Sequence, residues 1–552
     1  MVSRIRQRGR WFISCALLLL SVLPASAQSG ITDAEATRFL EQCTFGPVKT
    51  DVDRVKQIGY SAFVNEQFGK PNSNYTFINT TNGLAGMRQR FYRNAVRQSD
   101  QLRQRVAFAL SQVVVSSGED PDVDSSQRIA ATTAYQHLLL KHAFGNYRAL
   151  LYEMTLNPLM GVFLDMANNR KPDPKTNSLP NENYARELLQ LFSLGVNELN
   201  RDGTIKRDIN GDPIPTYGNE EVTEFARVFT GWTFAPRPGK TFNGFQPENF
   251  NAPMALWAPL HDVGEKRLLR GWVLPAIQPG IPTNTNNTAL ILYASNELNY
   301  AIDSIFNHPN IAPFVATRLI QHLVTASPTP AYVDRVAAAF ENNGAGVRGD
   351  MKTVIRAVLL DSEARGTAVA QATPGYGHWR SGVLFITSLL RQLDAQGDLA
   401  GMDAWSTDLK QRVFAPPSVF SYYSPFTTLP VSNGSTTVSY PAPETGTMTT
   451  ESLILRINFV NALLFGTISS DLSGYTGVTG LNIPDYLAVA LNTNSLVDLI
   501  AVRLMHNDIT SELRTRIATA VDAIPATEAN RTKRARTALY LAACSQEYQF
   551  IR

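Results

Sequence analysis

The segment NENYARELLQLFSLG, residues 181–195, carries the strongest local pattern of the sequence. Asn181 is a good N-cap residue, Glu182 favours the positive end of a helix, and Gly195 suits a C-terminal stop. At about 100° per residue, Tyr184 and two of the leucines share one face. The segment therefore predicts an amphipathic helix.

Glu187 falls at the edge of the apolar sector of this helix. A carboxylate there is at least partly buried and needs a charged or hydrogen-bonded partner. We expect that partner to be an arginine of a neighbouring helix, Arg148 or Arg105. Glu187 is then either a catalytic carboxylate or part of a structural ion-pair cluster between packed helices, and the sequence leaves both interpretations open.

The adjoining polar face carries candidate binding residues. Glu182 and Arg186 form an i,i+4 pair, and Asn183 lies beside them. Asn146 and Arg148, at the start of another predicted helix, are further candidates for binding.

The helical period continues over most of the chain. It predicts helices at 33–39 (capped by Asp33), 51–68, 97–115, 126–142, 147–154, 219–232, 288–306, 311–324, 330–341, 350–360, 378–394, 451–466, 486–505, 510–523 and 528–546. Alternation with a period of two is rare, and the best strand candidates are the short flanks of the segment 256–273. We therefore predict a mainly α fold, a multi-helical bundle-like globule with small β-hairpins and long ordered loops.

Turn-rich or irregular segments interrupt the helices at 168–181, 197–218, 233–287 and 413–450. Long irregular segments of a compact protein are usually functional or disordered, and the many aromatic residues of 413–450 argue against disorder. We predict a single large domain over residues 28–552, with a sub-division near 233–287 as the alternative.

Residues 1–27 have the features of a secretory signal peptide. Four arginines precede an apolar run at 11–23, and Ala25-Ser26-Ala27 is an A-x-A cleavage site. The apolar run is too short to span a bilayer. The sequence therefore predicts export to the periplasm or the extracellular space, with Gln28 as the mature N-terminus.

Removal of this segment changes the charge balance. The four arginines lower Lys+Arg from 50 to 46, against 47 Asp+Glu, so the mature net charge is about −1. No block of like charge remains, which argues against a nucleic-acid partner, because phosphate binding needs a concentrated basic surface. No later stretch of about 20 apolar residues predicts a transmembrane segment in the mature chain.

Two cysteines remain after Cys15 is removed with the signal peptide. Cys43 and Cys544 are disulfide candidates in an oxidising compartment, and such a bond would join the two ends of the chain. The alternative is two separate buried residues.

His261 and Asp262 form the second candidate constellation. A His-Asp pair in an irregular segment is able to act in acid/base catalysis or as metal ligands, although it is often only a turn. Zinc is disfavoured, because His137 and His142 do not share a helix face and His322 and His378 are isolated. We also find no G-x-S-x-G or nucleotide-binding motif, so the sequence indicates neither serine catalysis nor a cofactor.

The run Asp208, Asn210 and Asp212 has the alternating oxygen side chains of a calcium loop. However, glycine stands at the fourth position instead of the sixth, and no glutamate stands at the twelfth. A tight turn is the favoured interpretation, and no metal site is predicted.

Several blocks together resemble the bacterial domain-of-unknown-function family 1800 (DUF1800). They are ATRFLEQCTFGP (36–47), LRQRVAFALSQ (102–112), HAFGNYRALL (142–151), 182–195, ARVFTGW (226–232), 261–266, HPNIAPFVATRLIQHL (308–323), 346–360 and APPSVFSYYSP (415–425). The resemblance implies a secreted bacterial protein without an established reaction, and it assigns no catalytic residue. It also suggests a partner, because genes of this family often lie beside those of an exported family that resembles alkaline phosphatases and sulfatases. Members of the family usually carry a small residue at the position of Cys43.

Two functions follow as hypotheses. The first is a binding or assembly module that works with the neighbouring exported protein at the cell envelope. The alternative is an extracytoplasmic hydrolase that cleaves an envelope or extracellular polymer through paired carboxylates, Glu187 with Asp262 or Glu182. Glu187, Arg148, His261 and Asp262 in one open cleft would favour the hydrolase, and their dispersal would favour the module.

Overall fold

The structure, a computed structural model, describes residues 30–75, 83–366, 375–432, 436–466 and 477–552. The predicted signal peptide lies outside these residues. Within the described ranges, no helix is both long enough and apolar enough to cross a membrane.

The predicted mainly α fold is confirmed. The α-helices of the described residues are α1 (Asp33–Cys43), α2 (Lys49–Ile58), α3 (Tyr60–Gly69), α4 (Gly83–Arg97), α5 (Gln101–Val113), α6 (Arg128–His142), α7 (Tyr147–Thr155), α8 (Pro158–Phe163), α9 (Asn183–Gln190), α10 (Asn219–Val228), α11 (Thr288–Phe306), α12 (Ile311–Leu323), α13 (Pro330–Glu341), α14 (Met351–Leu360), α15 (Ser362–Arg365), α16 (Gly382–Gln392), α17 (Met402–Asp408), α18 (Thr450–Phe465), α19 (Pro484–Val489), α20 (Thr493–Met505), α21 (Ser511–Asp522), α22 (Arg531–Ala543) and α23 (Gln546–Gln549).

The strands are short and form antiparallel pairs. They are β1 (Trp232–Thr233), β2 (Ala255–Leu256), β3 (Lys266–Arg267), β4 (Val273–Leu274), β5 (His378–Trp379), β6 (Ala395–Gly397), β7 (Thr428–Ser432), β8 (Thr437–Pro441), β9 (Val478–Leu481) and β10 (Phe550–Ile551). The pairs are β1 with β2, β3 with β4, β5 with β10, β6 with β9, and β7 with β8. The strands expected at the flanks of 256–273 are present, although the first of them pairs with β1 and not with the second.

Local capping and backbone geometry decide several boundaries that differ from the predicted ones. Thr32, not Asp33, caps α1. The Thr32 hydroxyl accepts from the backbone N–H of Glu35, and the Glu35 carboxylate accepts from the backbone N–H of Thr32, which is a capping box. The helix predicted over 51–68 is two helices, because Gly59 between α2 and α3 has φ +82°.

The helix of segment 181–195 is shorter than predicted. It begins at Asn183, whose N–H donates to Asn181 Oδ1 at 2.9 Å, so Asn181 stabilises the entry without being the N-cap. It ends at Gln190, and Gly195 has φ +76° with its N–H bonded to the carbonyl of Leu189. Gly195 thus ends this segment, as predicted, but one turn after the end of α9.

One continuous hydrophobic core joins the ends of the chain, since Ala36 near the start and Tyr548 near the end belong to the same buried cluster. The N-terminal α1 packs against α20, and α5 packs against α6 and α12. Residues that are distant in the sequence are therefore neighbours in this core.

The hairpin β7–β8 lies within the long segment 413–450. Its register places Leu429 opposite Tyr440 and Val431 opposite Val438, so these four side chains share one face. Leu429, Val431 and Val438 on that face are exposed.

Candidate functional site

His261 lies in the segment between β2 and β3 and is completely buried. Its Nδ1 donates to the carbonyl of Thr230 at 2.8 Å, and its Nε2 lies 2.8 Å from Glu297 Oε2. Both ring nitrogens are therefore occupied by oxygen acceptors, and the orientation of the imidazole is fixed.

Lys266 and Glu297 complete the same cluster. Lys266 Nζ donates to both carboxylate oxygens of Glu297, at 2.8 and 3.0 Å, and to the carbonyl of Asp262. The Tyr293 hydroxyl donates to Glu297 Oε1 at 2.7 Å. Burial lowers the pKa of Lys266, while the nearby Glu297 carboxylate opposes this shift.

Asp262 points to a different partner. Arg227 binds it in a bidentate fork, with Nη2 to Oδ1 at 2.9 Å and Nε to Oδ2 at 3.0 Å. Burial alone would raise the pKa of Asp262, but Arg227, the Gly264 N–H and Lys266 together hold it below its usual range. The predicted His-Asp pair is therefore divided between two partners, Glu297 and Arg227.

These residues form a buried network of matched charges in which every buried polar side-chain atom of His261, Asp262, Lys266 and Glu297 is hydrogen-bonded. Such an arrangement favours a role in fixing the loop over α10 and α11. It offers no unoccupied acid or base to a substrate in this conformation.

The structure contradicts the expected partner of Glu187. Arg148 Nε donates to Asp303 at 2.5 Å, and Arg105 Nη2 donates to the carbonyl of His322 at 2.5 Å. The prediction failed because helix α9 packs against α10, whereas α7, which carries Arg148, packs against α11. A helical wheel gives the direction of a side chain but not the neighbour that it meets.

Glu187 is half-buried, and its Oε2 is buried without a hydrogen-bond partner in the described part of the chain. Burial raises the pKa of Glu187, and Arg186 counteracts this only in part. Arg186 itself binds Glu182 at 2.9 Å, and Glu182 also accepts from the hydroxyl of Thr223 at 2.7 Å.

The other candidate binding residues make structural contacts. Asn183 Nδ2 donates to Asp165 at 3.2 Å. Asn146 caps α7 by accepting from the N–H of Arg148, and it donates to the carbonyl of Arg348 at 2.7 Å. The structure thus places the predicted residues in separate clusters.

The segment 208–212 forms a tight turn. Asp208 Oδ1 accepts from the backbone N–H groups of Asn210 and Asp212, both at 2.9 Å. These bonds lower the pKa of Asp208, that from Asp212 most strongly. The side chain of Asp208 therefore stabilises this turn.

The two disulfide candidates, Cys43 and Cys544, are both free cysteines in the structure. Cys43 is buried in the core, and Cys544 is partly buried against it. The alternative interpretation, two separate packing residues, is the one that fits. Burial raises the pKa of Cys544 to about 11, so this thiol is protonated at neutral pH.

A cleft of about 810 Å³ opens between the N-terminal helices α1–α3 and the segments around α16, α19 and α20. We call it the N-terminal cleft. Its volume lies in the range of about 300–1,000 Å³ typical of ligand sites. Its acidic and basic lining residues are equal in number: Asp33, Asp51, Asp53, Glu66, Asp394 and Asp485 against Lys49, Arg54, Lys70, Arg97, Arg391 and Arg503.

Asp51 and Arg391 form an ion pair in the wall of this cleft. Arg391 Nη2 lies 3.0 Å from Asp51 Oδ2, and its other nitrogens donate to the carbonyls of Gly46 (2.6 Å) and Val96 (2.8 Å). Burial raises the pKa of Asp51 despite the opposing charges of Arg391 and Lys70. Asp51 is therefore a partly buried carboxyl group held in place beside an open space.

Other lining groups are free to meet a ligand. Lys70 has no carboxylate within 4 Å among the described residues, and the buried Tyr486 hydroxyl has no hydrogen-bond partner there. Ser99 is exposed on the connection between α4 and α5. At the rim, Arg503 binds Asp485 at 2.7 Å.

Sequence reasoning did not find this cleft. Asp51 and Arg391 are 340 residues apart, and neither stands in a motif with a defined ligand spacing.

The model of a protein family described as "Protein of unknown function (DUF1800)" matches residues 38–550. The chain belongs to this family. The resemblance inferred from the sequence blocks is thereby confirmed. No curated protein and no solved structure matches the chain.

Several of the blocks that resemble DUF1800 take part in the clusters described above. Block 36–47 contributes Thr37 and Pro47 to the N-terminal cleft, and block 261–266 supplies the loop of the His261 network.

Proposed function

We propose that this DUF1800 protein is an exported binding or assembly module that works with a co-exported protein at the cell envelope. We further propose that the N-terminal cleft receives a polypeptide segment of that partner. The observation that carries the proposal is a cleft of about 810 Å³ with six acidic and six basic lining residues.

The charge pattern favours a polypeptide. A protein segment offers side chains of both signs together with backbone donors and acceptors, which match neighbouring ion pairs such as Asp485–Arg503 and free donors such as Lys70. A polyanion would meet as many acidic as basic groups in the cleft, and its binding would be opposed.

Two further features support the assembly role. Of the residues expected to form a catalytic cluster, Arg148, His261 and Asp262 bind separate partners, and Glu187 pairs with none of them. The sequence of residues 1–27 supports export, which would bring the chain into the compartment of an exported partner of the alkaline phosphatase or sulfatase class.

A hydrolase acting on an envelope polymer is the second candidate function, and Asp51 favours it. A carboxyl group whose pKa burial raises beside an open cleft is suited to general acid catalysis. In this version Asp51, not Glu187 or Asp262, would be the acid, and no cofactor is proposed for either function.

Binding measurements with cleft variants test the proposal. The mature chain, from Gln28, is titrated with the purified exported protein encoded beside its gene. Ser99→Trp places a bulky side chain in the cleft, and Lys70→Glu reverses a lining charge. Since neither position is in the core, we expect both variants to fold and to bind at least about tenfold more weakly.

Ser511→Trp is the matched control, because Ser511 is exposed at the start of α21 and does not line the cleft. It should bind like the wild type. Unchanged affinity of Ser99→Trp and Lys70→Glu would contradict the proposed cleft. Cleavage of an envelope polymer that Asp51→Asn abolishes would instead support the hydrolase.

A further inference from the structure

A groove of about 370 Å³ is lined by residues of α6, of α7, of the start of α8 and of the segment 250–253. We call it the α6–α7 groove. Its volume lies within the range of about 300–1,000 Å³ typical of ligand sites. Most of its surface is apolar and is formed by Ala134, Leu138, Leu156, Pro158, Phe250 and Pro253. It shares no lining residue with the N-terminal cleft.

The walls of this groove are held in place by contacts within the protein. Helix α6 packs against both α7 and α8. The segment 250–253 is fixed at one end by the Met254 N–H, which donates to the carbonyl of Leu156 at 2.8 Å. At the other end, the ring of Phe250 packs edge-on against that of Phe234, with the centroids 5.7 Å apart. The groove is therefore already formed without a ligand, as most small-molecule sites are.

Lys141 and Glu153, the two charged residues of the lining, neutralise each other. Lys141 Nζ donates to both carboxylate oxygens of Glu153, at 2.7 and 2.8 Å. Burial alone would raise the pKa of Glu153, but the bonds with Lys141 and His142 lower it. A charged ligand would thus find no unpaired ion in the lining, and its own charge would lose water without compensation.

Two polar side chains of the lining keep a free hydrogen-bond donor. The Tyr152 hydroxyl makes no hydrogen bond within the described ranges of the chain. His137 Nε2 accepts from the N–H of Tyr75 at 3.2 Å, so the hydrogen of the neutral ring is on Nδ1. Burial lowers the pKa of His137, which keeps this ring neutral at neutral pH. Among the described residues, Nδ1 has no acceptor.

We propose that the α6–α7 groove binds a small uncharged molecule that has an apolar body and one hydrogen-bond acceptor oxygen. The apolar body packs against Leu138, Leu156 and Phe250, and the acceptor oxygen takes a hydrogen bond from the Tyr152 hydroxyl, with His137 Nδ1–H as a second donor. The paired charges of Lys141 and Glu153 select against ions. This site does not depend on the function proposed for the N-terminal cleft.

Saturation-transfer NMR titrations of the mature chain test the proposal with three probes of nearly equal shape: acetophenone, ethylbenzene and benzoate. Acetophenone is neutral and carries an acceptor, ethylbenzene is neutral without one, and benzoate is an anion. We expect acetophenone to bind roughly two- to tenfold more tightly than ethylbenzene, which is the range of one hydrogen bond. Benzoate should bind at least about tenfold more weakly than acetophenone.

Two variants locate the site. Ala134→Phe fills the groove from a partly exposed position of α6 and should abolish binding of both neutral probes. Tyr152→Phe keeps the ring but removes the hydroxyl, so it should reduce the advantage of acetophenone and leave ethylbenzene unchanged. Ala520→Phe is the matched control, because Ala520 is partly exposed on α21 and lies outside the groove, and it should bind like the wild type.

The proposal is overturned if neither neutral probe binds, if benzoate binds as tightly as acetophenone, or if Ala134→Phe binds the neutral probes like the wild type. An unchanged preference for acetophenone in Tyr152→Phe would also overturn it. The conservative variant Tyr152→Phe keeps the test decisive even if Ala134→Phe does not fold.

Discussion

Glu297→Gln should be among the most destabilising single substitutions in this protein. The carboxylate accepts from Lys266 Nζ at two oxygens and from the Tyr293 hydroxyl, and it lies beside His261 Nε2, all at distances between 2.7 and 3.0 Å. His261 and Lys266 are both fully buried. The substitution keeps the shape of the side chain but removes its negative charge.

The loss of stability arises from the buried groups that Glu297 no longer neutralises, above all Lys266. Lys266 would keep the carbonyls of Asp262 (2.8 Å) and Gly264 (3.1 Å), and its nearest carboxylate would be Asp262 Oδ1 at 3.8 Å. Breaking a buried pair by removing one partner costs roughly 3–5 kcal/mol, because an uncompensated charge remains buried. We expect a loss of this size in the free energy of unfolding at neutral pH.

Urea unfolding followed by circular dichroism measures the effect. Glu512→Gln is the matched control, since Glu512 forms an exposed i,i+4 pair with Arg516 and its loss should leave the urea midpoint unchanged. A loss below about 1 kcal/mol for Glu297→Gln would refute the network as described, since that is the size of an exposed pair.

Four further results are expected. Burial raises the pKa of Glu187, so ionisation of this side chain opposes folding as the pH rises above about 4.3. The variant Glu187→Gln should therefore be at least as stable as the wild type in urea at pH 7, but not at pH 4. The pKa of Asp262 is lowered, so the contribution of its carboxylate to the free energy of unfolding is complete above about pH 4 and is lost on acidification below that pH. Asp262→Asn should therefore flatten this part of the profile of melting temperature against pH. Gly59→Ala should cost about 1 kcal/mol or more in urea unfolding, because φ is +82°. Dithiothreitol should leave the melting temperature unchanged, and thiol titration of the unfolded mature chain should detect both Cys43 and Cys544.

The fold could be predicted where its signals are local. The helical period alone gave 288–306 and 330–341 with the bounds that α11 and α13 have in the structure. It missed the break at Gly59, because the amphipathic pattern of 51–68 continues through this glycine, whereas the positive φ of Gly59 ends the helix. Strand pairing could not be predicted either, because β2 pairs with β1, from which a long irregular segment separates it in the sequence.

The candidate sites depended on contacts that sequence spacing does not encode. His261 and Asp262 are neighbours in the chain, yet their side chains bind Glu297 and Arg227 on two different helices. His322 and His378 looked isolated, yet they lie near enough for the charge of His378 to lower the pKa of His322. Long-range packing therefore decides which polar groups meet, whereas local patterns decide only which of them face the core.

Site-specific photocrosslinking from position 99 tests the proposed binding role most directly. A photoreactive side chain at Ser99 would lie in the N-terminal cleft, and one at Ser511 would lie on exposed α21, outside it. In cells that export both proteins, we predict a crosslink to the exported phosphatase-like or sulfatase-like partner from position 99 and none from position 511. Equal crosslinking from both positions, or none from position 99, would contradict the proposed function.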